Sequence, residues 1–247
     1  METEIPLAFD LHSRGLWRCA LSVKLPAYMV GRMTKGPNLK EKLDALRNRN
    51  PVWKARYDDL VQSLKAAGVG EGALKVGDDC PDFALASTEG RIVMLEALLA
   101  KGPIVLSFYR GKWCPYCVTE LEALREATAD IAAAGATLVA VTAEDCGGAL
   151  AAKRKQQLEF EIICDPDNGL ALNFGLVFRV MPDFRDNYRG IDVDFPLIYG
   201  NDSWFLPIPA TYVIGRDGII AHAYVNPDFR ERLDPGDILD VLKKLPA

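Results

Sequence analysis

Two cysteines, Cys114 and Cys117, stand three apart in the stretch Phe108-Tyr109-Arg110-Gly111-Lys112-Trp113-Cys114-Pro115-Tyr116-Cys117. A thiol pair at that spacing suits redox chemistry, because one thiolate attacks and the other, one helical turn away, closes a disulfide. The apolar run Ile104 to Tyr109 predicts a buried strand, and apolar residues at three-and-four spacing predict a helix over Pro115 to Ala134. The pair therefore falls where strand feeds helix. Cys114 takes the cap, exposed to an approaching substrate. Pro115 takes the first helical position, where its missing N–H costs nothing, and Cys117 is covered by the first turn. Unpaired N–H groups, the positive end of the helix dipole and the charges of Arg110 and Lys112 all favour a thiolate. Such settings bring a thiol from about 8.5 down to about 3.5–7.5. The competing assignments are a structural zinc half-site or two inert core thiols. Zinc needs a second ligand pair of comparable spacing, and neither His12, His222 nor the scattered Cys19, Cys80, Cys146 and Cys164 forms one. No metal or other cofactor is expected. Trp113 and Tyr116 either wall the site or simply pack.

The elements that would position this pair alternate from Ala73 onward. Asp82–Ser87 and Arg91–Leu95 flank Thr88-Glu89-Gly90 as a hairpin, followed by a short helix over Glu96–Ala100 and the strand Ile104–Tyr109. After the cysteine helix come a strand over Thr137–Thr142, a helix over Asp145–Leu158, a strand over Glu161–Cys164 and a helix over Gly169–Phe174. Strand, helix, strand with short returns means parallel pairing. Ala210–Ile214, a Gly215-Arg216-Asp217-Gly218 turn, a strand over Ile219–Val225 and a helix over Pro235–Leu245 close the chain. This order predicts an α/β, thioredoxin-like three-layer sandwich with a central mixed sheet and an extra N-terminal hairpin. Residues 178–206, rich in aromatics and aspartates, read as an insertion with no compact element of its own: a lid or a packed surface excursion. Upstream, residues 1–36 form a weakly ordered leader, with Met33 a second candidate start codon. Residues 37–72 form a helical arm of two amphipathic helices, Leu39–Arg49 and Val52–Ala67, acting as a packing arm or a homodimer contact.

At 247 residues, 49% hydrophobic and 26% charged, the chain has ordinary globular content with room for a sizeable core. Its net charge of −5 is uneven: residues 1–58 carry 11 Lys+Arg against 6 Asp+Glu, which leaves 18 against 28 for the remainder. An acidic body is a poor nucleic-acid surface. No stretch approaches the roughly 20 apolar residues of a membrane span, and Asp10, Arg14, Arg18 and Lys24 break any secretory apolar region within residues 1–33. Six cysteines with only one regular spacing fit a reducing, cytoplasmic compartment better than a disulfide framework. Cys80 and Cys164 read as small buried residues, and Cys146, at a helix start, as the better candidate for a second resolving thiol.

Val76-Gly77-Asp78-Asp79-Cys80-Pro81-Asp82-Phe83, Phe108-Tyr109, Thr119-Glu120-Leu121, Asp165-Pro166, Phe174-Gly175 and Pro207-Ile208-Pro209-Ala210-Thr211-Tyr212-Val213-Ile214 resemble peroxiredoxins of the alkyl hydroperoxide reductase and thiol-specific antioxidant (AhpC/TSA) superfamily. The resemblance covers about residues 74–245. It places the peroxidatic cysteine on Cys117 and the helping threonine on Cys114, while the family proline falls on Arg110 and the family arginine on Pro209. Two activating residues are thus replaced. The Cys-Pro-Tyr-Cys pair and the proline before the late strand instead resemble glutaredoxin and thioredoxin, in which that proline is cis and lies against the pair. A plain strand-edge turn is the alternative for Pro209. The resemblance implies a thiol-dependent peroxidase acting on hydrogen peroxide or organic hydroperoxides through Cys114 and Cys117, with Pro209, Trp113, Tyr116 and Arg110 positioning substrate and a thioredoxin- or glutathione-type system as reductant. The alternatives are a thiol-disulfide oxidoreductase, attacking through Cys114, and a non-enzymatic redox sensor. Resolution by a partner five residues after Cys117 is excluded, since Glu122 stands there.

Overall fold

The computed structural model describes residues 38–246, so the leader expected over residues 1–36 and the second start at Met33 lie outside the described residues. The central element is β3 (Ile104–Tyr109), buried at all six positions. Its alternation splits the core: Ile104, Leu106 and Phe108 join one apolar cluster, and Val105 and Tyr109 join another on the opposite face. On one side β3 pairs in parallel with β4 (Thr137–Thr142), which pairs in parallel with β5 (Glu161–Cys164). On the other side it pairs antiparallel with β8 (Ala210–Ile214), which pairs antiparallel with β9 (Ile220–Val225). The result is a five-stranded mixed sheet between two helical layers, the thioredoxin-like α/β sandwich that the order of elements predicts. The short hairpin β1 (Ala84–Ala86) and β2 (Ile92–Met94), with α3 (Leu95–Leu99) and α6 (Gly169–Asn173), packs on the Phe108 face.

On the Tyr109 face lie α4 (Pro115–Ala133), α5 (Cys146–Gln156) and α9 (Pro235–Leu242). The arm adds α1 (Leu39–Asn48) and α2 (Pro51–Ala66) to this face. Asn38 starts α1 with a capping box: its side chain accepts the Glu41 N–H at 2.9 Å, and its own N–H reaches Glu41 Oε2 at 3.0 Å. Asn50 caps α2 ahead of Pro51. Leu39, Leu43, Leu60, Val61 and Leu64 are buried in the same core as Leu121 and Leu124 of α4. Arg47 bonds Glu231 at 2.6 Å and Arg230 bonds Asp58 at 2.8 Å, so ion pairs also tie the arm to the segment after β9.

Residues 178–206 differ from expectation. They hold two helices, α7 (Pro182–Arg189) and α8 (Phe195–Tyr199), bracketed by β6 (Val177–Arg179) paired antiparallel with β7 (Phe205–Pro207). Pro182 and Pro196 at helix starts and the Asp194 cap on the Leu197 N–H nucleate short turns. A stack of Phe184, Tyr188, Phe195, Tyr199 and Trp204 supplies the packing that no sequence period announced. Among the described residues no helix is long and apolar enough to cross a membrane.

Because Leu60 is 2% exposed in the core shared with α4, Leu60→Ala should cost about 2–5 kcal/mol in urea unfolding. A cost below about 1 kcal/mol would show that α2 is not part of the folded core.

Candidate active site

The chain leaves β3 at Tyr109 and turns through Arg110 and Gly111 into α4. Gly111 has φ +141°, and a Cβ there would lie 2.9 Å from both Glu144 Cδ and Trp113 Nε1, so only glycine lets this turn close against the β4–α5 loop. The Cys114 N–H donates to the Gly111 carbonyl at 3.1 Å, and the Cys114 carbonyl accepts the Val118 N–H at 3.0 Å, which starts the helix at Pro115. Cys114 therefore caps α4 and Cys117 follows one turn later, as the spacing predicts. The expected exposure of Cys114 is corrected: both thiols are 0% exposed. Part of the cover comes from the insertion. Trp113 packs against Tyr188 and Phe195 with ring centroids 5.4 and 5.2 Å apart, and its Nε1–H donates to the Tyr199 hydroxyl at 2.8 Å. That hydroxyl in turn donates to the Arg110 carbonyl.

The charges around the pair are also buried. Arg232, 1% exposed at its side chain, donates from Nη2 to Cys117 Sγ at 3.2 Å and from Nε to Glu120 Oε2 at 2.7 Å. The Arg110 backbone N–H donates to Cys117 Sγ at 3.4 Å. The Arg110 guanidinium, fully enclosed, lies 3.9 Å from the Phe229 ring centroid and 4.6 Å from that of Trp113, and among the described residues its Nε and Nη1 have no acceptor. Burial opposes ionisation of both thiols. For Cys114 a hydrogen bond with Cys117 and the fields of Arg110 and Arg232 outweigh it and bring the thiol down to about 5. Cys117, with burial reinforced by its partner's charge, is pushed well above the ordinary thiol range. The donors, however, address Cys117. The two thiols titrate as a pair, so the early proton loss belongs to both, and the Arg232 and Arg110 N–H contacts are donors that a charge on Cys117 would meet. Burial likewise lifts Glu120 to about 7, against the pull of Arg232.

Of the residues expected to position substrate, Arg110 and Trp113 border the thiols. Tyr116, 4% exposed, turns its ring edge toward Phe229 at 6.0 Å and lines a cleft of about 210 Å³ with Trp53 and Tyr57 of α2. Pro209 is buried just before β8, but it is not cis: no described peptide is cis. The backbone runs extended on both sides of it, with the Ile208 N–H held by the Leu176 carbonyl at 2.7 Å and Ala210 in register with Phe108, and an extended trans link satisfies both. Lys112 is exposed, and its backbone N–H serves Glu144 at 3.0 Å, so the field at the thiols comes from Arg110 and Arg232 rather than from Lys112. The expectation that Pro209 leaves the site without its arginine is also corrected, because Arg232 supplies a guanidinium from beyond β9. Its only signal in the sequence is the charged run Asp228-Phe229-Arg230-Glu231-Arg232 between strand and last helix. Glu120, already part of the quoted motif, gains a role as its counter-ion. Cys164 is not an idle small residue: it is disulfide-bonded to Cys146, with Cα atoms 5.7 Å apart. Cys80 is free and inert, its thiol pushed up to about 12 by burial.

Comparison with known proteins bears on the family and the fold. The chain is 25% identical over 174 residues to the chloroplastic peroxiredoxin Q of Oryza sativa subsp. japonica, covering 70% of this chain and 69% of that one. It is 27% identical over 176 residues to the chloroplastic peroxiredoxin Q of Suaeda salsa, covering 71% and 67%. Among solved structures, the peroxidoxin BcpB of Mycobacterium tuberculosis superposes with a TM-score of 0.56 at 20% identity, over 70% of this chain and 99% of that one, a likeness of fold. The profile of the AhpC/TSA family matches residues 76–223, more than half of the sequence, including β3, the Gly111 turn and α4 that carry the thiol pair, so the chain belongs to the AhpC/TSA family.

Proposed function

We propose that the protein is a thiol-dependent peroxidase of peroxiredoxin type in which Cys117 attacks the peroxide and Cys114 resolves it. One observation carries the reading: a buried guanidinium, Arg232, donates to Cys117 Sγ. Counting the charges explains what the contact does. Arg110 and Arg232 bring two buried positive charges, and Glu120 is the buried carboxylate paired among them. The two guanidiniums favour a thiolate at the pair over the neutral thiol, against burial and the carboxyls of Glu120 and Glu144.

The Cys117 thiolate attacks one peroxide oxygen. The O–O bond breaks, the departing alkoxide or hydroxide takes a proton, and Cys117 becomes a sulfenic acid. Arg232 keeps the sulfur anionic, and the open Nε and Nη1 of Arg110 are donors for the oxygen on which charge develops. The Cys114 thiol then attacks the Cys117 sulfur, water leaves, and a Cys114–Cys117 disulfide forms. A thioredoxin- or glutathione-type system, of the kind a reducing compartment such as the cytoplasm supplies, returns two electrons. Disulfide exchange through Cys114 has its low pKa in its favour, but a substrate disulfide must reach a sulfur that is 0% exposed beneath Trp113 and α7–α8. A peroxide is small enough for a closed, water-poor site.

Two outcomes test this. Thiolate absorbance of the reduced protein should persist well below pH 7 and move upward in Arg232→Met; a wild-type midpoint at the free-thiol value of about 8.5 would remove the electrostatic argument. Cys114→Ser should consume one equivalent of hydrogen peroxide and hold a sulfenic acid that a dimedone probe traps, while Cys117→Ser should not. Arg232→Met should slow that oxidation about a hundredfold. A trapped sulfenic acid on Cys114 in the Cys117→Ser protein would reverse the assignment.

A further inference from the structure

The peroxidase reading leaves Cys146 and Cys164 unused, and they hold a bond. Cys146 and Cys164 form a disulfide while Cys114 and Cys117 are free thiols. We propose that Cys146–Cys164 is a second redox centre, which takes two electrons from a protein dithiol and passes them to the Cys114–Cys117 disulfide. The proposal rests on the peroxidase reading above.

Access makes the relay necessary. The inner pair is 0% exposed, so a folded protein reductant has no path to it. Cys146 is half-buried at the first position of α5, between exposed Asp145 and Gly147, where a protein thiol can approach. Proximity makes the relay feasible. Tyr109, Thr142 and Cys164 stand in register across β3, β4 and β5, and two strand spacings put Cys164 about 10 Å from the end of β3. The loop before α5 belongs to the same construction as the active-site turn. Glu144 Oε2 accepts the Lys112 N–H at 3.0 Å, and its side chain is what a Cβ on Gly111 would strike at 2.9 Å. Cys146 follows two residues later and opens α5 with Gly147-Gly148, the residues that hold a helical turn least firmly. Unwinding that turn swings Cys146 toward the pair at modest cost.

The direction of flow follows from the guanidinium groups. Arg110 and Arg232 stabilise a thiolate at the inner pair, which stabilises its reduced form and makes its disulfide the stronger electron acceptor. A thiolate of the external dithiol attacks Cys146, Cys164 leaves and takes a proton, and the reductant's second thiol displaces Cys146, so the reductant ends as its own disulfide. The Cys146 thiolate then attacks Cys114 of the inner disulfide, and Cys117 leaves as the thiolate that Arg232 holds. Cys164 attacks Cys146 and releases Cys114. Two electrons and one proton have moved inward, and the second proton of the dithiol goes to solvent. The end state is inner thiols free and outer pair bonded, the arrangement seen in the structure.

The test follows one disulfide. Protein with all four thiols reduced receives one equivalent of hydrogen peroxide, is quenched with an alkylating agent over time, and is mapped by peptide mass spectrometry. A Cys114–Cys117 bond that forms first and decays into Cys146–Cys164 is the expected result. In Cys117→Ser and Cys117→Ala the outer bond should not form. A disulfide that stays at Cys114–Cys117 overturns the relay and leaves the peroxidase reading standing. An outer bond that also forms in the Cys117 variants overturns it too, as direct oxidation. If wild-type protein consumes no peroxide, the peroxidase reading fails and takes the relay with it.

Discussion

The contact between Arg232, Cys117 and Glu120 is the constraint that orders the rest of the molecule. A guanidinium 1% exposed at its side chain is tolerable only if its charge is matched and its donors are occupied, and Glu120 Oε2, Cys117 Sγ and the Phe229 carbonyl occupy them. Arg110 is held differently, between the rings of Phe229 and Trp113, with its backbone N–H on the same sulfur. Both guanidiniums favour a negative charge at the thiol pair, against burial and the neighbouring carboxyls of Glu120 and Glu144. The acidity of the pair is thus a demand of the surrounding charges, with the helix dipole a smaller contribution from the first turn of α4.

Keeping those charges dry takes material from three separate parts of the chain. β3 and the Gly111 turn deliver the thiols to the end of the sheet. The insertion folds α7 and α8 over them, and the Trp113–Tyr199 hydrogen bond fastens the cover to the loop beneath it. The arm closes the third side: Tyr57 of α2 meets Phe229 edge to face at 5.1 Å, on the side of that ring system that faces the arm. Asp58 and Asp228 hold Arg230 beside it, which positions the strand exit that carries Arg232. Neither the arm nor the post-β9 segment lies within the 76–223 span matched by the family. The frame and the α7–α8 cover lie within the matched span, and the arm and Arg232 lie outside it.

Enclosure changes which reactions are easy. A peroxide and a water molecule are small enough to pass, and a low-dielectric box strengthens each interaction with the developing oxygen charge. A protein reductant is not small enough. In the relay we propose, the buried pair meets the oxidant and the Cys146–Cys164 disulfide, whose Cys164 stands two strands from the end of β3, receives the electrons.

What the sequence by itself determined is local. The strands Ile104–Tyr109, Thr137–Thr142, Glu161–Cys164 and Ala210–Ile214 form over the bounds their patterns predict, because alternation and β-branching report directly on a pleated, buried ribbon. The place of Cys114 and Cys117 at the strand-to-helix turn was equally legible, since three-residue spacing after a proline-compatible cap leaves one face of one helix. What only the tertiary structure decided is non-local. Arg232 reaches Cys117 across 115 positions of sequence, and Cys146 finds Cys164 across 18. Trp113, next to the buried Cys114, packs against the insertion's aromatic stack, and Pro209 is trans between two strand ladders. Periodicity records which face of an element turns inward. Which charges meet there is set by how the elements cross, and that is written in no single segment.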